Sequence, residues 1–196
     1  DPIGSRGLGD VYKRQISNVS KQIPADKLIV HTAGAVSINK LNPHKRKGVF
    51  YPLQSFINEL QVDWNNLPIC IEANDQKDLN TLSKLASKLS SQVHIISGMQ
   101  RLHLHTAAVF SNNFCNHLLG LSQEITSRKG LAFDILSPII KETFNRSFSN
   151  LSVKLQTGPA RRNDKETQKK HLEILTNEEA KVYELLSQSI YKRYNT

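Results

Sequence analysis

Residues 69 to 97 hold the pattern that most constrains this fold. Ile69-Cys70-Ile71-Glu72-Ala73 follows Pro68 and reads as a short buried strand. From Gln76 onward, Leu79, Leu82, Leu85, Ala86 and Leu89 form an apolar stripe at helical spacing. Val93-His94-Ile95-Ile96-Ser97 then closes the unit as another strand. Strand, helix and strand joined by short loops is the grammar of a parallel, doubly wound sheet. Upstream, Leu28–Ala33 is a β-branched run ending at Gly34, which suits another buried strand. Val49–Phe56 is an extended stretch broken by Pro52.

Beyond Ser97 the grammar changes to helices. The patterns predict one from about Gln100 to Ser127 and a second from about Phe133 to Asn145. A third begins near Asp164, where Asn163 and Glu166 have the spacing of a capping box, and Thr176 with Glu179 repeats that signal before a fourth. The expected fold is α/β followed by all-α: the C-terminal part of a Rossmann-type parallel sheet over residues 16–98, then an α-helical domain over 99–196, with the boundary near Gly98. The first helix is expected to be largely buried.

Residues 1–15 stand apart. Ser5–Gln15 reads as a translated sequencing adapter, and the chain behind it as an N-terminally truncated fragment. Gly4, Gly7 and Gly9 imitate a phosphate-binding loop, but no apolar strand precedes them and Tyr12 fills the third glycine position of G-x-G-x-x-G. This segment is expected to make no specific contacts.

Composition narrows the class. Hydrophobic residues make up 38%, which suits a soluble globular chain, and no apolar run approaches the length of a membrane span. Two cysteines, Cys70 and Cys115, suit a reducing cytoplasm. The net charge of +9 is concentrated in His44-Lys45-Arg46-Lys47 and in Arg161, Arg162, Lys165, Lys169 and Lys170. Neither cluster is interleaved with aromatics as a single-strand nucleic-acid surface would be, so a solvated basic face or a phosphate or carboxylate site is favoured.

The candidate chemistry lies on the first long helix. At 100° per residue from Arg101, His105, Asn112 and Asn116 fall at about 40°, 20° and 60°. One narrow polar stripe on an apolar helix needs polar partners, in neighbouring loops or in a cleft. Two asparagines orient a hydroxyl or carbonyl, and a histidine exchanges a proton near neutral pH. No metal is expected: His103 and His105 point about 200° apart on a helix, and the other histidines lack zinc-type spacing. The loop Leu155–Asp164 runs past Gly158-Pro159 into a helix N-terminus, which favours anions; Gln156, Thr157, Gly158, Arg161 and Arg162 add donors. An ordinary capped loop with solvated arginines reads equally well.

VHTAGAVSINKL, GVFYPLQSF, RLHLHTAAVFSNNFCNHL and LQTGPARRNDKETQKKHLEIL occur in this order. Together they make the chain resemble the bacterial Rossmann-like family carrying the domain of unknown function 2520, from Ile16 to about Tyr191. The resemblance implies an NAD(P)-binding Rossmann domain and a helical domain similar to that of 6-phosphogluconate dehydrogenase. It places His31, Thr32, Ala33 and Gly34 at a strand's carboxyl end as cofactor-binding residues. The truncated chain is expected to lack the cofactor's pyrophosphate loop. Tyr51, Pro52, Leu53 and Gln54 form a neighbouring wall in this reading. His105, Asn112 and Asn116 are the catalytic candidates, and Gln54, Gln156, Thr157, Gly158 and Arg162 hold substrate. One departure is that no Lys lies between Arg101 and Lys129, where comparable hydroxyacid dehydrogenases carry one.

The expected function is an NAD or NADP oxidoreductase acting on a small anionic hydroxy-, keto- or imino-compound. The alternative is a non-catalytic dinucleotide- or ligand-binding protein. The expected partner is a small-molecule substrate, with no nucleic acid and no membrane; a homodimer through the helical domain stays open.

Overall fold

The structure, a computed structural model, describes residues 15–56, 61–149 and 155–195. All but the last residue of the adapter-like segment lies outside the described residues, and so does the expectation that it makes no specific contacts. Gln15 itself opens a helix, α1 (15–20), which the sequence patterns do not announce. Four strands follow: β1 (Ile29–His31), β2 (Lys47–Pro52), β3 (Ile69–Ala73) and β4 (Val93–Ile95). They form one sheet in the order β1-β2-β3-β4. The β1–β2 and β3–β4 pairings are parallel, as the β-α-β grammar requires. The β2–β3 pairing is antiparallel, with Val49 opposite Glu72 and Tyr51 opposite Cys70. The sheet is thus mostly parallel, as expected, with one antiparallel pair that an apolar run, having no direction written in it, does not announce.

Side chains alternate across the sheet with period two. Phe50, Ile69 and Ile71 pack on one face with Leu82 and Ala86 of α2 (Gln76–Ser87). Asp75 caps this helix by accepting from the Asp78 backbone N–H. Of the predicted stripe, Leu82 and Ala86 are buried, whereas Leu85 and Leu89 are largely exposed. Val49, Tyr51 and Cys70 occupy the other face, packed against Ile38, Leu53, Ile96 and Leu104.

After β4 the chain is helical from Gly98 to Ser127: α3 (Gly98–Ala108), a π-helical segment (Val109–Phe114) and α4 (Cys115–Ser127). The remaining helices are α5 (Ser137–Ser149), α6 (Lys165–Leu172) and α7 (Asn177–Asn195). The chain divides into two compact units between Asn113 and Phe114, later than the Gly98 boundary expected from sequence. The reason is that α3 is bonded to the sheet, as described below. The helical run is also less buried than expected: Arg101 is its only buried residue in α3, and none is buried in the π segment or α4. No described helix is long and apolar enough to cross a membrane.

In the second unit, Asp164, not Asn163, caps α6, accepting from the Thr167 backbone N–H and hydroxyl. Asn163 instead takes a positive φ of 54°, a conformation asparagine tolerates better than most residues. Thr176 and Glu179 do form the reciprocal cap read from their spacing. Glu179 also takes a two-pronged bond from Arg128, at 2.8 and 2.9 Å. The Arg128 guanidinium and the Thr176 N–H hold the Glu179 carboxyl at about pKa 2.

Candidate active site

Helix α3 is the element that builds the site. Ser97 and Gln100 close a capping box at its start, each satisfying the other's backbone N–H. One turn later Arg101 is almost wholly buried. Its Nε donates to the Gly34 carbonyl at 3.2 Å, its second nitrogen to the Val36 carbonyl, and its third pairs with the Glu72 carboxylate. One guanidinium thereby joins α3, β3 and the loop after β1. A buried cation needs such company, because desolvation is costly unless each donor is used. Arg101 is thus the anchor of the helix and not the first member of an open polar stripe.

A further turn along, His105 Nδ1 lies 3.0 Å from the Tyr51 hydroxyl, and the two rings meet edge-on at 6.0 Å. The backbone of Gly34 passes directly beneath both. A Cβ on Gly34 would stand 2.7 Å from His105 Nδ1 and 2.8 Å from Tyr51 Cζ. Glycine is required there by close approach. Burial pushes the Tyr51 phenol up, Cys70 beside it adds to the effect, and Arg101 opposes it. Burial likewise raises the Cys70 thiol. His31, beneath the same face, is pushed down to about 4 by burial first and by Arg101 second. Its Nδ1 accepts from the Ala33 N–H at 3.2 Å.

Tyr51 and His105 form one wall of a cavity of about 440 Å³, within the usual size of small-ligand pockets. Leu53, Ala108 and Val109 make it apolar, and Gln54, Ser55, Ser111 and Asn112 add amides and hydroxyls. Asn112 donates to the Ser55 hydroxyl at 2.8 Å. The cavity lies beyond the carboxyl ends of the parallel pair β1 and β2, the edge at which doubly wound sheets bind ligands.

Of the residues singled out from sequence, His105, Asn112 and Gln54 come together in this cavity. Gly34 is packed beneath it, His31 and Ala33 are buried, and Thr32 is exposed. Asn116 is exposed and belongs to the second unit. The angular count that aligned it with His105 assumed an α-helix throughout, and the π segment at 109–114 breaks that phase. Gln156, Thr157, Gly158 and Arg162 belong to the second unit. There Gln156 donates to the Thr157 carbonyl, Gly158 takes φ 103°, and the Arg162 N–H reaches the Gly158 carbonyl. The sequence reading missed Tyr51 as the partner of His105 and Ser55 as the partner of Asn112. Strand alternation, which puts Tyr51 on the Val49 face, was the available signal for the first.

The basic run at 44–47 also reads differently in three dimensions. His44 is buried and bonds the Ser20 carbonyl at 2.8 Å, Lys47 is buried on Asn42, and Arg46 is paired with Asp78. Among the described residues, no three His, Cys, Asp or Glu side chains come together as a metal site.

Residues 67–190 match the family model described as Domain of unknown function (DUF2520). The chain belongs to this family. Among solved structures, a "putative NADP oxidoreductase" from Bacteroides fragilis is similar at 36% identity with a TM-score of 0.84, over 93% of this chain and 71% of that one. A protein from Thermotoga maritima shares the fold at 22% identity and a TM-score of 0.72, over 93% of this chain and 75% of that one. No curated protein matches by sequence. This DUF2520 chain is therefore a Rossmann-like α/β unit followed by a helical one.

Proposed function

We propose that this DUF2520 protein is an NAD(P)-dependent oxidoreductase acting on a small anionic hydroxy-, keto- or imino-compound in the cavity beside Tyr51 and His105. The observation that carries the reading is the 3.0 Å Tyr51–His105 hydrogen bond on the wall of that cavity. Similarity to a protein named an NADP oxidoreductase supports the reaction class, and the net charge of +9 favours an anionic substrate. The donor set fits the reactive end of a nicotinamide: apolar Leu53, Ala108 and Val109 for a flat ring, amides and hydroxyls for its carboxamide. When bound, such a cofactor supplies or accepts a hydride. His105 exchanges the accompanying proton, and Asn112 and Gln54 orient the substrate's oxygen or nitrogen. Neither Cys70 nor Cys115 is in a disulfide, which suits reducing cytoplasm.

The test, made on a complete homologue that carries the pyrophosphate loop, is oxidation of NADPH or NADH across a panel of small keto acids and cyclic imines, with the reverse reaction on hydroxy acids. This chain alone is expected to bind dinucleotides poorly or not at all. Turnover of at least one class is expected, and His105→Ala should lower it by about 10²–10⁴-fold with little change in melting temperature. Cofactor binding with no turnover would favour the second reading, a non-catalytic dinucleotide-binding protein. The absence of Lys between Arg101 and Lys129 is the observation on its side. A homodimer through the helical residues is the proposed assembly. It is supported by the exposure of Ile135, Ile139, Phe148 and Leu185, and sedimentation of the purified chain decides it.

A further inference from the structure

Resting on the oxidoreductase reading above, we infer that Tyr51 is a catalytic residue: its hydroxyl hands the proton to the substrate's oxygen or nitrogen, and His105 Nδ1 replenishes it across the bond that joins them. The inference begins with placement. Both side chains line the cavity, and the phenol oxygen is within hydrogen-bond reach of one imidazole nitrogen. The pair has no slack, because the Gly34 backbone fills the space beneath both rings. Arg101 fixes that backbone in turn through the Gly34 and Val36 carbonyls. The phenol and imidazole are thus held in one relation, as a proton relay needs.

The chemistry follows from what each group can donate. A hydroxyl accepts one hydrogen bond while donating another. With a proton on His105 Nδ1 donated to Tyr51 Oη, the phenol O–H is left to point at a third partner. The cavity is where that partner sits. When negative charge arrives on the substrate's oxygen, the Tyr51 O–H bond breaks and a new O–H bond forms on the substrate. The Nδ1–H bond breaks in the same event and re-forms the phenol. The substrate gains one proton, the imidazolium becomes imidazole, and Tyr51 ends neutral as it began. In the opposite direction each proton retraces its path. A tyrosine acting alone would finish as a phenolate, and burial and the neighbouring Cys70 both disfavour that ion; only Arg101, itself paired with Glu72, acts the other way. A relay through His105 avoids the phenolate altogether.

The substitution to make, in the same complete homologue, is the equivalent of Tyr51→Phe, which keeps the ring over Gly34 and removes only the hydroxyl. Turnover should fall by about 10²–10⁴-fold with the affinity for NADPH, read by fluorescence titration, unchanged. Adding His105→Ala to Tyr51→Phe should cost little more, because the two act as a unit. In wild-type protein, kcat in mixtures of light and heavy water should follow a bowed curve, the mark of two protons in flight. That measurement stands even if Tyr51→Phe fails to fold. Tyr51→Phe turnover within about threefold of wild type, or a straight-line isotope plot, overturns the relay and leaves the oxidoreductase reading intact. Absence of turnover in the wild type, with NADPH bound, overturns both.

Discussion

Gly34 carries a tight steric demand at the site itself. An added methyl would press on the His105 ring at 2.7 Å and on Tyr51 at 2.8 Å, distances that real Cβ atoms do not tolerate. Gly34→Ala is expected to cost about 1–3 kcal/mol, the usual range for overpacking a tight site, and to part His105 from Tyr51. Urea unfolding checks the first effect and turnover the second. His31 supports a different test. Its folded pKa of about 4 lies below the ordinary 6.5, so between these values the unfolded chain binds the proton more readily than the folded one. Stability should therefore be fully present above pH 6.5 and decline as pH falls toward 4. The amount is about 3 kcal/mol at about 1.4 kcal/mol per unit. Unfolding free energies for wild type and His31→Gln across this window decide it; a wild-type slope identical to that of the variant would remove His31 as the cause.

At the scale of elements, helix α3 couples stability to the site. Its capping box satisfies two backbone donors at the end nearest Arg101. Ser97→Ala should cost about 1 kcal/mol and loosen His105 without touching the cavity, read as faster amide exchange in the first turn of α3. Much of this level was legible in the sequence. The strand Ile69–Ala73 and the start of α2 at Gln76 fall where apolar runs and periodicity put them, because burial on both faces and a single apolar stripe are written directly in residue order. What was not legible depends on contacts across the chain. The antiparallel β2–β3 pairing is a choice of direction that Val49–Pro52 does not encode. The π segment at 109–114 is invisible to a count of 100° per residue, so that count does not fix the phase between His105 and Asn116. Arg101 read as the first member of a polar stripe facing loops or a cleft, and proved buried, since only the fold supplies the Glu72 carboxylate and the two carbonyls that pair with it.

For the whole molecule the deciding quantity is where the charge of +9 resides. Counted along the chain, residues 44–47 look like a solvated basic face or a phosphate or carboxylate site. In the fold, two of the four are buried and a third is paired with Asp78, leaving Lys45 as the exposed member. The second cluster is partly engaged as well. The Arg161 guanidinium lies 5.4 Å from the Tyr194 ring centroid, Lys165 sits 5.8 Å from that of Tyr191, and Lys170 is paired with Glu166. A surface that tracks a nucleic-acid backbone must present many cations at phosphate spacing, each releasing counterions and steepening the salt dependence by about 0.7–0.9. The dispersed arrangement here supports few simultaneous contacts. Binding to duplex or single-stranded DNA should therefore be weak, with log K against log salt no steeper than about −3. Fluorescence anisotropy at several salt concentrations measures it. A slope of about −6 or steeper, as for a protein that neutralises six or more phosphates, would mean that the positive charge serves a polyanion and not a small anion in the Tyr51–His105 cavity.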